Sequence, residues 1–346
     1  MFENKEKSSL SELGEFGLIA HITKAVKLTQ ESTSKGIGDD AAVLNFSDDE
    51  VLISTDLLLE GIHFDLRYVP LKHLGYKAVQ VNLSDIYAMN GMASQITVSI
   101  GLSSKFPLEA VEEIYAGVLL ACDRYKVDLV GGDTSSSAQG LVISVTSIGH
   151  AAKGDVVYRN GAEVGDLICV SGDLGGAYVG LQLLEREKKI FLENPNIQPD
   201  LEGKDYIVER QLKPEARQDI ILLLKDLDVK ATSMIDISDG LASEILHICN
   251  ASDKGCKLYE EKIPIDPMTY DTAREFGLDP TVCALSGGED YELLFTVKQA
   301  DYEKIKHSMD ISIIGHITDS QEGCELISRS GVVHPIKAQG WNSFKG

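Results

Sequence analysis

"SMIDISDGLASEILHICNAS", residues 233–252, changes its backbone period within a few positions. Residues 233–237 are strand-like and put Asp236 near the strand end, whereas Leu241, Ile245 and Ile248 recur at helical spacing. Ser238 and Asp239 therefore fall at the helix start, and the stretch reads as strand, acidic turn and helix. There, free backbone N–H groups and the positive end of the helix dipole can meet a phosphate, while Asp236 and Asp239 hold its metal. The plainer alternative is an N-cap at Ser238 with Asp239 favouring the dipole. It does not account for Asp236, whose carboxylate at a buried strand end wants a cation.

Four other segments share this habit of carboxylates beside Gly, Ser or Thr: "GIGDDAAVL" (36–44), "ISTDLLLEGIHFD" (53–65), "NLSDIYAMN" (82–90) and "VGGDTS" (130–135). A single Asp in such a place is commonly a cap or turn former. Five such segments invite another explanation, because clustered carboxylates repel unless cations or shared protons neutralise them. Hard oxygen donors without His or Cys partners suit Mg²⁺ rather than Zn²⁺. Residues 82–90 read as helix, with Asn82, Asp85 and Met89 on one face. A buried Asp there is costly unless paired or metal-bound, so Asp85 is expected to face a metal.

Val- and Ile-rich runs alternate with helix-period segments, which predicts a mixed α/β protein. "VLISTD", "ITVSIGL", "VDLVGGD" and "LVISVTSIGHA" read as strands of a first domain. Between them "PLEAVEEIYAGVLLAC" reads as a helix, with Pro107 in its first turn and Leu108, Val111, Tyr115, Val118 and Cys122 on one face. A turn-rich stretch puts the domain boundary near residues 150–160. A second series follows: "LICVSG", a helix at "EARQDIILLLKDL", the opening strand and helix, "YELLFTV" and "ISIIGHI". Residues 185–205, with mixed charge and two prolines, read as a surface excursion.

The chain of 346 residues is long for one core, and its 43% apolar and 25% charged composition is that of a globular protein. A formal charge of −22 opposes binding to nucleic acid or an anionic membrane, and an anionic substrate would need metal ions. The six cysteines show no C-x-x-C pair and no zinc-like spacing, which suits reduced thiols in the cytoplasm. The N-terminal stretch lacks the apolar run of a signal peptide, and no run of 18 apolar residues occurs. A P-loop and the protein-kinase motifs are absent, and "SGDLGGAYVG" (171–180) fails the dinucleotide spacing. Carboxylate-bound metals would then supply most of the positive charge for a nucleotide. Arg159 in "VVYRNG" either joins them or is a solvated surface charge.

"GIGDDAAVL", "STDLLLEGIHF", "AVQVNLSDIYAMNG", "VGGDTS", "IDISDGL" and "LSGGEDYELLFTV", in this order from residue 36 to 297, closely resemble the thiamine-monophosphate kinases. That family belongs to the ATP-binding superfamily of aminoimidazole ribonucleotide synthetase. The resemblance implies phosphorylation of thiamine monophosphate by ATP, giving thiamine diphosphate and ADP, with several Mg²⁺ ions. It implies an α/β fold of mixed sheets in two domains. Residues 1–155 would form the N-terminal domain for ATP and metal binding and dimerisation, and 156–346 a C-terminal domain completing the site. The N-terminal domains of two subunits would pair into a shared β-barrel, giving a homodimer. Metal ligands implied by position are Asp40, Ser54, Thr55, Asp56, Asp85, Asp133, Asp236 and Asp239. Nucleotide contacts are Tyr115, Gly132, Asp133, Arg159 and Ser238. Substrate contacts are His63, Glu289 and Trp341, and no general base is assigned.

Each assignment has chemical sense beside a plainer alternative. His63 could donate to a phosphate or be a satisfied surface histidine. Glu289 follows two glycines, which permit close approach to a ligand or simply form a turn. Trp341 could stack on a thiamine ring or anchor the tail. Selenophosphate synthetase, a superfamily relative, usually carries a reactive Cys or selenocysteine near its N-terminus, and no Cys precedes Cys122 here. A non-catalytic cation-binding protein is the alternative from another class, and an ATP-dependent thermal shift separates it from a kinase.

Overall fold

A computed structural model of the chain describes residues 21, 23–35, 43–103 and 105–338. Asp40 and Trp341, both expected at the site, lie outside them. The chain divides into two compact units: one runs through Ile86 and resumes over Gly91–Asp155, and the other takes Tyr87–Asn90 and the chain from Val156 onward.

In the first unit a short antiparallel pair, β1 (Thr33–Lys35) and β2 (Val43–Leu44), precedes a four-stranded sheet. That sheet contains β3 (Glu50–Leu59), β4 (Met92–Leu102), β5 (Asp128–Ser136) and β6 (Val142–Ala151), in the order β3-β6-β4-β5. Only the β4–β5 pair is parallel, and the helix Leu108–Tyr125 makes its crossover. Leu108, Val111, Tyr115, Val118 and Cys122 are all buried, as their spacing predicts. Pro107 stands at the N-cap in extended conformation, one position outside the expected first turn.

The helix Leu71–Ala88 crosses Leu108–Tyr125 at a pair of glycines. A Cβ on Gly117 would lie 1.9 Å from the Lys72 carbonyl oxygen, and one on Gly75 would lie 1.9 Å from that of Ile114. Only glycine lets the two backbones approach so closely. This fixes the helix that carries Asn82 and Asp85.

The expected β-barrel is corrected by this sheet. Among the described residues β3 and β5 are open ends of a four-stranded array, and no sheet closes on itself. The four twisted strands of this chain leave both edges of their sheet free among these residues.

The second unit is built on seven strands: β7 (Leu167–Ser171), β8 (Ala231–Asp236), β9 (Lys254–Tyr259), β10 (Leu293–Val297), β11 (Ile311–Asp319), β12 (Cys324–Ile327) and β13 (Val333–Pro335). Their order is β13-β12-β9-β11-β7-β10-β8, antiparallel throughout except for β12 on β9. Ile168, Val170, Ile235 and Leu294 of the sheet pack with Leu241, Ile245 and Ile248 of the helix Leu241–Ser252. Each such side chain, fully buried, contributes roughly 1.5–3 kcal/mol.

The helix Gly176–Glu193 runs through the first half of the segment read as a surface excursion. Its inner face buries Val179 and Leu183, while Lys188 pairs with Glu185 and the Arg186 guanidinium lies 4.7 Å from the Phe276 ring centroid. Exposed Phe191 and Leu192 blur its apolar stripe in the sequence.

Candidate active site

In the first unit β3 and the helix Leu71–Ala88 bring Ser54, Asp56, Asn82 and Asp85 together. Residues two apart on a strand share a face, so Ser54 and Asp56 both meet the helix. The Ser54 hydroxyl donates to Asp85 Oδ2. The Asp56 backbone N–H donates to Asn82 Oδ1 at 2.9 Å. Asn82 is fully buried and is held by its own Nδ2–H bond to the Ala78 carbonyl at 2.9 Å. Asn82 thus registers the strand against the helix. Burial first, and the Asp85 charge second, push the Asp56 carboxyl up to about 6.

Thr55 faces the other way. Its Oγ1 donates to the Val145 carbonyl at 3.0 Å, and Thr146 Oγ1 donates to it at 3.0 Å. Its side chain is therefore not part of the Ser54–Asp56–Asp85 group. His63, in the exposed turn after β3, accepts the Leu59 N–H at Nδ1 over 3.0 Å. The neutral ring then carries its proton on Nε2, as a donor.

Gly132 and Asp133 lie on the exposed half of β5. A Cβ on Gly132 would stand 1.9 Å from the Val98 carbonyl oxygen, so this position is closed to any side chain. Tyr115 sits on the buried face of Leu108–Tyr125, and burial pushes its phenol up to about 12.

In the second unit Asp236 ends β8 as a buried carboxylate, and Ser238 and Asp239 form the turn before Leu241–Ser252. The plainer alternative of a cap at Ser238 does not hold, since Gly240 is the N-cap. Glu289 is brought to the same turn. Its N–H donates to the Ser238 carbonyl at 2.7 Å, and the Tyr291 N–H donates to that of Ile237 at 2.9 Å. Glu289 and Tyr291 both have left-handed backbones, φ 59° and 52°, between hydrogen-bonded neighbours that hold them there.

Glu244 was not foreseen. It is buried at 2% exposure, its Oε1 accepts the Asp239 N–H at 3.0 Å, and its Oε2 has no hydrogen-bond partner. Burial pushes its carboxyl up to about 8, with the Asp239 and Asp236 charges adding to the rise and the Asp239 N–H opposing it. Burial, with the Glu289 charge adding to it, also raises Asp239. The one mark of Glu244 in the sequence is a charge set among the apolar residues 241, 245 and 248, a stripe that reads as complete without it.

Further back, Gln211 Nε2 donates to Glu289 Oε2 at 3.0 Å. Buried Asp290 accepts the N–H groups of Gly175 at 2.8 Å and Ala177 at 3.3 Å. Glu292 bridges Arg210, at 2.8 Å, and Arg217. This buried network fixes the loop that presents Glu289. Arg159 is exposed, and its carbonyl accepts the Ser252 hydroxyl at the far end of the helix from Asp239.

Both groups fit magnesium. Their donors are carboxylate and hydroxyl oxygens, and the partnerless Glu244 Oε2 is a buried acceptor suited to a cation or its water. Burial and neighbouring charge raise carboxyls in both clusters, a cost that a bound cation would relieve.

The descriptions "AIR synthase related protein, N-terminal domain" and "AIR synthase related protein, C-terminal domain" match residues 38–151 and 163–325. The chain is 35% identical to thiamine-monophosphate kinase of Aquifex aeolicus over 97% of this chain and 99% of that one. It is 33% identical to the Bacillus subtilis enzyme of the same name, over 96% and 100%. A solved structure of AaThiL complexed with AMPPCP and TMP superposes with a TM-score of 0.74 at 34% identity, covering 98% of this chain and all of that one. With both family models matched and this identity holding over nearly its whole length, the chain belongs to the thiamine-monophosphate kinase family of AIR synthase related proteins.

Proposed function

We propose that the chain transfers the γ-phosphoryl group of ATP to the phosphate of thiamine monophosphate, giving thiamine diphosphate and ADP. The observation that carries this reading is the match to thiamine-monophosphate kinase over 97% of the chain. Magnesium, when bound, neutralises polyphosphate charge and aligns the reacting groups. Its ligands in this reading are Asp40, Ser54, Thr55, Asp56, Asp85, Asp133, Asp236 and Asp239. Thr55 would have to serve through its backbone, given where its hydroxyl is engaged.

Tyr115, Gly132, Asp133, Arg159 and Ser238 contact the nucleotide, and His63, Glu289 and Trp341 the acceptor. Gly132 lies on the exposed half of β5, and His63 offers the Nε2–H to a phosphate oxygen. An acceptor phosphate oxygen attacks the γ-phosphorus in line. That phosphate is already largely ionised near neutral pH, so no side chain need remove a proton. The test is incubation with ATP, Mg²⁺ and thiamine monophosphate. ADP and thiamine diphosphate should form in equal amounts, and ADP alone would point to a different acceptor.

In the same reading residues 1–155 bind ATP and metal and mediate self-association, and residues 156–346 complete the site. The outer face of β3 exposes Val51, Ile53 and Leu57, which supports a homodimer through that sheet face. Ile53→Asp should then lower the mass in sedimentation, and an unchanged mass would remove this face as the contact. No helix of the described residues is long and apolar enough to cross a membrane. Free cysteines, most of them buried, and use of ATP support a cytoplasmic location, which fractionation of cells expressing the chain would test.

A further inference from the structure

The cysteines, unremarkable in sequence, are not evenly dispersed in the fold. Cys249 near the end of the helix Leu241–Ser252, Cys256 on β9 and Cys324 on β12 bring their Sγ atoms within 4.8 Å of one another. The parallel pairing of β12 on β9 sets Cys324 directly beside Cys256. Cys249 and Cys256 are fully buried among Ile248, Leu258 and Ile317, while Cys324 is half-buried and gives access from outside.

We propose that Cys249, Cys256 and Cys324 form a thiolate site for a zinc-class divalent d¹⁰ cation, separate from the carboxylate clusters. Thiolates select soft or borderline cations, whereas Mg²⁺ takes oxygen, so the two kinds of site do not compete. Sulfur atoms about 3.8 Å apart satisfy a tetrahedral ion with Zn–S bonds near 2.3 Å, a separation the cluster can reach by rotamer adjustment. Charge favours a divalent over a monovalent ion: three thiolates and one divalent cation leave a single negative charge in an apolar surround. Water can complete the fourth position on the half-buried Cys324 side. Binding converts three thiols and the cation into the tris-thiolate complex and releases three protons.

A bound ion would join the end of one helix to two strands, β9 and β12, that otherwise meet it through apolar packing. The reduced, Mg²⁺-saturated chain should be titrated with Cd²⁺ as a zinc analogue, following thiolate-to-metal charge-transfer absorption and proton release. One equivalent per chain is expected, displaceable by Zn²⁺ and accompanied by a higher Tm. Cys324→Ser, at the half-buried position, should weaken binding by more than about 100-fold, beyond what loss of an outer-sphere partner costs. Cys283→Ala, outside the cluster, should bind as wild type does. Absence of a stoichiometric thiolate band in the wild type would overturn the proposal, and so would an unchanged band in Cys324→Ser. Cys249→Ala gives a second check should Cys324→Ser fold poorly.

Discussion

Asp56 on β3 and Asp85 on the helix Leu71–Ala88 hold two carboxylates close enough that the charge of one raises the other, and Asp56 reaches about 6. The Ser54 hydroxyl is spent on Asp85, and Asn82 is spent on the Asp56 backbone. Two neighbouring carboxylates beside a hydroxyl make an oxygen-rich group of the kind a hard cation takes.

Asp85→Asn removes the neighbouring charge while keeping the shape. Asp56 should then titrate lower, toward the ordinary Asp range, as read by NMR of its carboxyl carbon. Turnover at saturating Mg²⁺ should fall by at least about 100-fold, the scale on which losing an electrostatic contact to a transition state is felt. Wild-type turnover in the folded variant would remove Asp85 from the metal site.

The raised carboxyls set the pH dependence of the metal-free protein. Asp56 near 6 and Glu244 near 8 bind protons in the folded chain that the unfolded chain has already lost. Their stabilisation is complete below the ordinary carboxyl range and is lost as pH rises through the folded values. Without Mg²⁺, Tm should therefore fall from about pH 5 to pH 9, and added Mg²⁺ should raise Tm more at the alkaline end. A Mg²⁺ effect that is flat across this range would contradict it.

Glu244→Gln keeps the acceptor for the Asp239 N–H and removes one buried charge. It should raise metal-free stability at alkaline pH and weaken Mg²⁺ binding by about tenfold. Calorimetric titration with Mg²⁺ reads both the affinity and the protons released. Unchanged values on both counts would make Glu244 merely structural.

Gly288 has φ +71°, and a Cβ there would stand 2.5 Å from the Ser238 carbonyl oxygen. Gly288→Ala should cost about 1–3 kcal/mol in urea unfolding and raise KM for thiamine monophosphate by displacing Glu289. Gly203, with φ +69° and open space around it, is the control. Gly203→Ala should carry backbone strain without a change in KM, so equal KM effects would refute a local role for Gly288.

Strands β3–β8, β10 and β11 were legible as Val- and Ile-rich runs, and the helices at 108–125 and 241–252 by their one-sided helical spacing, whereas β9, β12 and β13 carry no such run. Asp56, Asp85, Asp236 and Asp239 were legible because a carboxylate on an otherwise apolar element is conspicuous. Two things were not. Glu244 hid within a helical stripe that looked complete without it, and its meaning depends on an oxygen left without a partner. The three thiols lie up to 75 positions apart, and only the β9–β12 register brings them together. The open edges of the first sheet likewise depend on strand order, which no local pattern encodes.

The most direct test of the central claim is a single-turnover reaction with ATP labelled in its γ-phosphoryl group, quenched in acid. Direct transfer places the label in the terminal phosphate of thiamine diphosphate, at the rate at which ADP appears, with none on the protein. Label released as inorganic phosphate, or retained on the chain before any reaches thiamine diphosphate, would contradict it.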